Sequence, residues 1–178
     1  HQSVYTIAAT AVMKLIEKYD IDPQRVGFLG LGTESSTDNS AGAIILKGML
    51  DQGLTIRGLA PIGRHCEVPE IKHACLGGIY ALKHALRYLA LEDDDRCAIV
   101  VSADIAEYAR GSSGEPTQGA GAVAMLVERN PKMLSIDLKA IGSASAYRAV
   151  DFRKPVLRNI IRGTLNCHFQ DLPVFNGK

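Results

Sequence analysis

Apolar residues at Val4, Ile7, Ala8, Ala11, Val12, Leu15 and Ile16 recur at helical spacing, which predicts a helix ending near Tyr19. The chain thus opens inside an element, and Val174-Phe175-Asn176-Gly177-Lys178 resembles the start of another, so a piece of a longer polypeptide is expected. Asp22-Pro23 marks a turn. Val26-Gly27-Phe28-Leu29-Gly30-Leu31 is an uninterrupted apolar run suited to a strand covered on both faces. Asp38-Asn39-Ser40 can cap a helix over 41–50, with Gly53 as its stop. Residues 58–70 carry Pro61, Gly63 and Pro69 and are expected to form a loop before a short strand at 71–74. A helix opening at Cys75 places Ile79, Leu82, Leu86 and Leu89 on one face and Lys83 and Arg87 on another, and Asp93-Asp94-Asp95 closes it. The run 97–103 predicts a buried strand that delivers Asp104 to its carboxyl end. A glycine-rich loop over 111–119, strands at 120–128 and 134–141, and a helix at 156–165 complete the series. Alternating strands and helices imply an α/β protein, a mostly parallel mixed sheet covered by helices. In such sheets ligands gather beyond the carboxyl ends of the strands, where Glu34, Cys75 and Asp104 fall.

Composition narrows the class. With 178 residues, 47% of them apolar, the chain can bury one sizeable core as a single domain or a large piece of one. Its 20 Lys and Arg against 19 Asp and Glu leave no charge excess of the kind that nucleic-acid or membrane-surface binding needs, so small molecules or another subunit are the expected partners. No apolar run approaches the roughly 18 residues of a membrane span, and the first 15 residues lack the layout of a secretory signal. A cytoplasmic setting follows. The cysteines Cys66, Cys75, Cys97 and Cys167 show neither CxxC spacing nor disulfide density and are expected as reduced thiols.

Cys75 and Glu34 carry the candidate chemistry. A cysteine at a helix N-terminus meets the positive end of the helix dipole and unpaired N–H groups, which stabilise a thiolate and can also hold an oxyanion. Bland alternatives stand beside this. A cysteine next to glycine in apolar surroundings is more often a small core residue. Glu34 and Asp38 can act as cap acids, Asp104 can satisfy loop N–H groups, and Pro116-Thr117 can be only a turn. His73, two residues before Cys75, is expected to be structural, as are Cys66, Cys97 and Cys167.

Taken in order, Gly32-Thr33-Glu34 with Asp38, Ala74-Cys75-Leu76-Gly77-Gly78, Ala103-Asp104-Ile105-Ala106-Glu107-Tyr108-Ala109, Pro116-Thr117-Gln118-Gly119-Ala120-Gly121-Ala122 and Asp151-Phe152-Arg153-Lys154-Pro155 resemble 3-hydroxy-3-methylglutaryl-CoA synthases over nearly the whole chain. The resemblance implies the N-terminal half of a thiolase-type fold without its first strand, and a homodimeric, cytosolic enzyme of the mevalonate route. It implies that Cys75 accepts acetyl from acetyl-CoA and that Glu34 removes a methyl proton for attack on acetoacetyl-CoA. Asp38, Asp104 and Asp151 would support the site, while Thr117 and Phe152 would contact the acyl group. No metal and no cofactor beyond the CoA substrates is implied, and a catalytic histidine is expected from the absent C-terminal half. Two features depart from the animal enzymes: Leu76 replaces a tyrosine, and the 58–70 segment is longer. A carrier-protein-dependent relative of polyketide branching, a ketoacyl synthase or thiolase, and a non-enzymatic scaffold are the competing functions.

Overall fold

The computed structural model describes residues 2–39, 41–92, 95–112 and 114–146. By compactness the chain divides into His1–Ala140 and Ile141–Lys178. The first unit contains helix α1 (Val4–Tyr19), strand β1 (Val26–Gly32), helix α2 (Gly42–Ile56), strand β2 (Glu70–Ile71), helix α3 (Gly77–Leu91) and strands β3 (Cys97–Ala106) and β4 (Gly119–Val127). Of the second unit, 141–146 are described, exposed and without regular structure. The sheet runs β2-β1-β3-β4, parallel except for the antiparallel β3–β4 pair.

The apolar run at β1 is continuous because helices cover both sides. Every residue of β1 is buried. Leu29 and Leu31, with Ile99 and Val101 of β3, pack against Ala8, Val12 and Ile16 of α1 and Leu46, Leu50 and Leu54 of α2. On the opposite face Phe28, Ala98 and Val100 meet Ala81, Ala85 and Leu89 of α3. Small residues line this second face: a Cβ on Gly30 would stand 2.7 Å from Phe28 and 3.4 Å from Ala81. Helix α3 can therefore lie close to the sheet.

Several expected boundaries move, each for a physical reason. Helix α2 passes through Gly53 to Ile56, since Leu50 and Leu54 are both fully buried and that packing outweighs the roughly 1 kcal/mol that glycine costs in a helix. Of the expected Asp38-Asn39-Ser40 cap, the described Asp38 and Asn39 do not occupy the N-cap position. Ala41 occupies the N-cap position without a side-chain bond, and the Glu70 carboxylate, brought from β2, accepts from Ala43 N at 3.2 Å. Ser40 itself lies outside the described residues.

The end of the 58–70 segment is not free loop. Leu29 N donates to Glu67 O at 2.8 Å and Leu31 N to Pro69 O at 3.0 Å, so 67–71 lines the sheet edge. Pro69 has no N–H, which confines such a segment to an edge and leaves only Glu70–Ile71 as regular strand instead of 71–74. Its earlier part is stapled to α2, for Lys47 Nζ donates to Ile62 O at 3.1 Å and Ile62 N to Asp51 Oδ1 at 2.9 Å. Helix α3 begins at Gly77, so Cys75 precedes it by two residues. Strand β3 extends to Ala106, which puts Asp104 inside its last turn of pleat, not beyond it. The segment 134–141 contains a single 3-10 turn at Leu138–Ala140 in place of the expected strand. The helix expected at 156–165 lies outside the described residues.

Candidate active site

Glycine-on-glycine packing assembles the site. Gly32 ends β1 and is in register with Ile71 of β2 and Ser102 of β3. A Cβ on Gly32 would be 2.5 Å from Gly78 Cα and closer still to Gly78 N and Gly77 C. One on Gly77 would be 2.6 Å from Ile71 O and 3.2 Å from Thr33 N. The start of α3 therefore sits directly on the ends of three strands. Glu34 follows that contact by two residues and Cys75 precedes it by two, so the segments bearing the thiol and the carboxylate meet at one sheet end.

The link from β2 into α3 is a tight left-handed turn. Ala74 has φ 41°, a conformation that costs a non-glycine residue roughly 1–2 kcal/mol. Leu76 N donates to His73 O at 3.0 Å and Gly77 N to Ala74 O at 3.3 Å, closing the turn around Cys75. Cys75 is exposed and stands one residue ahead of the N-cap Leu76. It therefore lies just outside the helix, which opens two residues later than the start expected at Cys75 itself.

Asp104 organises the Glu34 segment. Its Oδ1 accepts from Glu34 N (2.8 Å), Ser35 N (3.1 Å), Ser35 Oγ (2.7 Å) and Thr33 Oγ1 (3.0 Å). Ser35 Oγ in turn accepts from Ile105 N at 2.9 Å. The loop N–H groups are thus satisfied by Asp104, the structural role weighed against a chemical one, and the same bonds fix the backbone from which Glu34 projects.

The remaining expected residues separate. Asp38 is exposed and takes a hydrogen bond from the Tyr5 phenol of α1, whose oxygen is also 3.0 Å from Ser36 Oγ. Burial, and then the bond to Asp38, push the Tyr5 hydroxyl above its ordinary pKa, so it stays a donor. Thr117 lies in the 3-10 turn Glu115–Thr117, exposed, with its hydroxyl donated to Gly114 O at 2.7 Å. Asp151, Phe152 and Cys167 lie outside the described residues. His73 packs its ring on Tyr80, centroids 5.0 Å apart.

Burial raises the thiols of Cys66 to about 12 and of Cys97 to about 11, unlike a site nucleophile. Among the described residues no cluster of His, Cys, Asp or Glu could hold a metal ion, and no helix is long and apolar enough to cross a membrane. Tyr5, Ser35, Ser36 and Lys72 were not legible as site residues. Only Ser35 and Ser36 gave a signal, as hydroxyls directly after a strand-end acid.

A mixed α/β sheet under helices on both faces, with a cysteine ahead of the glycine-seated helix and acids at the strand ends, defines a thiolase-like fold. Within that class the chain belongs to the hydroxymethylglutaryl-coenzyme A synthases: the family's N-terminal region matches residues 1–132. The hydroxymethylglutaryl-CoA synthase of Enterococcus faecalis is 40% identical over 136 residues, covering 76% of this chain and 32% of that protein. MvaS in complex with 3-hydroxy-3-methylglutaryl coenzyme A superposes with TM-score 0.73 at 33% identity, over 95% of this chain and 38% of that one. The HMG synthase of the curacin biosynthetic pathway, in complex with holo donor-ACP, has TM-score 0.61 at 28% identity over 74% of this chain and 31% of that one. The chain spans about a third of the length of such relatives.

Proposed function

We propose that this chain is the N-terminal part of an enzyme that condenses acetyl-CoA with acetoacetyl-CoA to hydroxymethylglutaryl-CoA. The observation that carries the reading is the seating of Gly77-Gly78 on Gly32, which unites the Cys75 and Glu34 segments inside the family-matched region. The Cys75 thiolate attacks the acetyl carbonyl, the carbon–sulfur bond to CoA breaks, and CoA leaves as a thiol. The resulting thioester acidifies the methyl hydrogens. Glu34 takes one of them, and the carbanion adds to the ketone carbon of acetoacetyl-CoA, whose oxygen collects a proton. Water then cleaves the enzyme thioester, returning the thiol and leaving a carboxylate on the product.

Asp104 supports Glu34 through its backbone, and the family likeness gives Asp38, Asp151, Thr117 and Phe152 the supporting and substrate roles. A histidine from the remaining two thirds of the protein binds acetoacetyl-CoA and assists proton transfer. The enzyme acts as a cytoplasmic homodimer of the mevalonate route without a cofactor beyond its CoA substrates. A second reading, in which acetyl arrives on a carrier protein, is favoured by the likeness to the curacin synthase solved with its donor-ACP.

Labelled acetyl-CoA tests the assignment on the complete protein. Wild type is expected to retain acetyl on Cys75, Cys75→Ser none, and Glu34→Ala to acetylate without condensing. Retention by Cys75→Ser removes Cys75 from the mechanism, and equal loss of both steps in Glu34→Ala removes the base role. Acetylation by acetyl-carrier protein but not by acetyl-CoA establishes the second reading.

A further inference from the structure

The segment between β1 and α2 leaves the sheet at Thr33 and enters α2 at Gly42, carrying Glu34 near its start. Asp104 holds its first residues. Two further side chains, from elements distant in sequence, hold the residues that follow. Lys72, immediately after β2 on the path to Cys75, donates its ammonium to Ser36 O. Tyr5 of α1 bonds Ser36 Oγ and Asp38, and its ring lies against Gly42, where an added Cβ would clash with it and stand 2.7 Å from Glu70 Oε2. Ser36 is only 2% exposed, so the two bonds to it form where water competes little, whereas the Tyr5–Asp38 bond is at the surface.

The direction of the two restraints differs. Lys72 ties the Glu34 segment to the strand that feeds the thiol, three residues from Cys75. Tyr5 ties it to a helix that the chemistry does not touch. Together with Thr33 N donating to Ile71 O at 3.2 Å, they leave the Glu34 backbone little freedom to move along or away from the Cys75 turn.

We propose that Tyr5 and Lys72 are positioning residues that set, through Ser36, where the Glu34 carboxylate stands relative to the acyl group on Cys75. This rests on the proposed roles of Cys75 and Glu34. Acetyl transfer to Cys75 needs the thiol and its turn, which neither side chain builds. Proton removal from the acetyl group needs Glu34 in register with it, and a misplacement of 1 Å costs a rate about 10²-fold.

The test uses Tyr5→Phe, which keeps the ring, and Lys72→Met, which keeps the stem, in the complete protein. Acetylation of Cys75 and condensation with acetoacetyl-CoA are timed separately. Each variant is expected to acetylate at a rate within about threefold of wild type and to condense at least about tenfold more slowly, with Lys72→Arg recovering most of the condensation rate. Amide exchange across 34–39 is expected to quicken in both variants, an effect independent of the chemistry. Condensation at the wild-type rate, or an equal fall in both steps with no rescue by arginine, overturns the proposal. Wild-type protein that never carries acetyl on Cys75 would instead overturn the underlying reading, and only the exchange result would then stand.

Discussion

Replacing Gly32 by alanine tests the packing on which the site depends. Gly32 is not among the positive-φ glycines, which in the described residues are Gly58 and Gly111, so alanine meets no conformational penalty there. The obstacle is steric. The new methyl would stand 2.5 Å or less from backbone atoms of Gly77 and Gly78, while ordinary contact begins at 3.4 Å, so the start of α3 must withdraw by about 1 Å. No rotamer change can relieve a clash with backbone. Over-packing of this kind costs about 1–3 kcal/mol, and the upper end is expected because the helix must move as a body. Withdrawing α3 also carries Cys75 away from Glu34, for which about 10²-fold in condensation is expected.

Gly48→Ala supplies the control, because Gly48 is exposed in mid-helix α2 with nothing within 4 Å of its would-be Cβ. It should gain about 0.5–1 kcal/mol from helix propensity alone. Thermal denaturation, with acetylation and condensation rates, reads both variants. A Gly32→Ala protein with wild-type melting temperature and condensation rate would refute the argument, as would equal destabilisation by Gly48→Ala.

Three other outcomes follow from the structure. Asp104→Ala strands the donors at Thr33, Glu34 and Ser35 and should cost about 2–3 kcal/mol, while Asp104→Asn, which keeps an acceptor, should cost less; denaturant titration compares them, and equal losses would exclude this account. At pH 8 an alkylating reagent should label Cys75 well before Cys66 and Cys97, as peptide mapping can show, because burial keeps the latter two as thiols. Their folded-state values are raised, so the unfolded chain loses these protons first. Stability from this source is present below about pH 9 and falls as pH climbs toward 11–12, with a shallower fall in Cys66→Ala.

The apolar runs and helical spacings were legible where local pattern and final burial agree: α1, β1 and β3 lie where the periodicity puts them. Helix α3 instead turns Ala81, Ala85 and Leu89 to the sheet and leaves Ile79, expected on the apolar face with Leu82, Leu86 and Leu89, 61% exposed, because only small side chains fit against the close-packed strands. Where local signals misled, a distant partner had taken over. Gly53 did not stop α2, since Leu54 beyond it packs on the sheet. Asp38 did not cap that helix, since Glu70 reaches its N-terminus from β2. The stretch 134–141 carries strand-like composition, yet no described neighbour pairs with it.

By itself the order of residues determined the α/β class, the family, and the identity of Cys75, Glu34 and Asp104 as the groups at the strand ends. Those properties reside in contiguous motifs and in periods of two and 3.6 residues. Only the tertiary structure decided that glycines 32, 77 and 78 seat the helix on the sheet, that Asp104 works by gathering the Glu34 backbone, and that Tyr5 and Lys72 brace Ser36. Those contacts join residues about 30 to 70 positions apart, and an interaction between such residues exists only once the chain has folded them together.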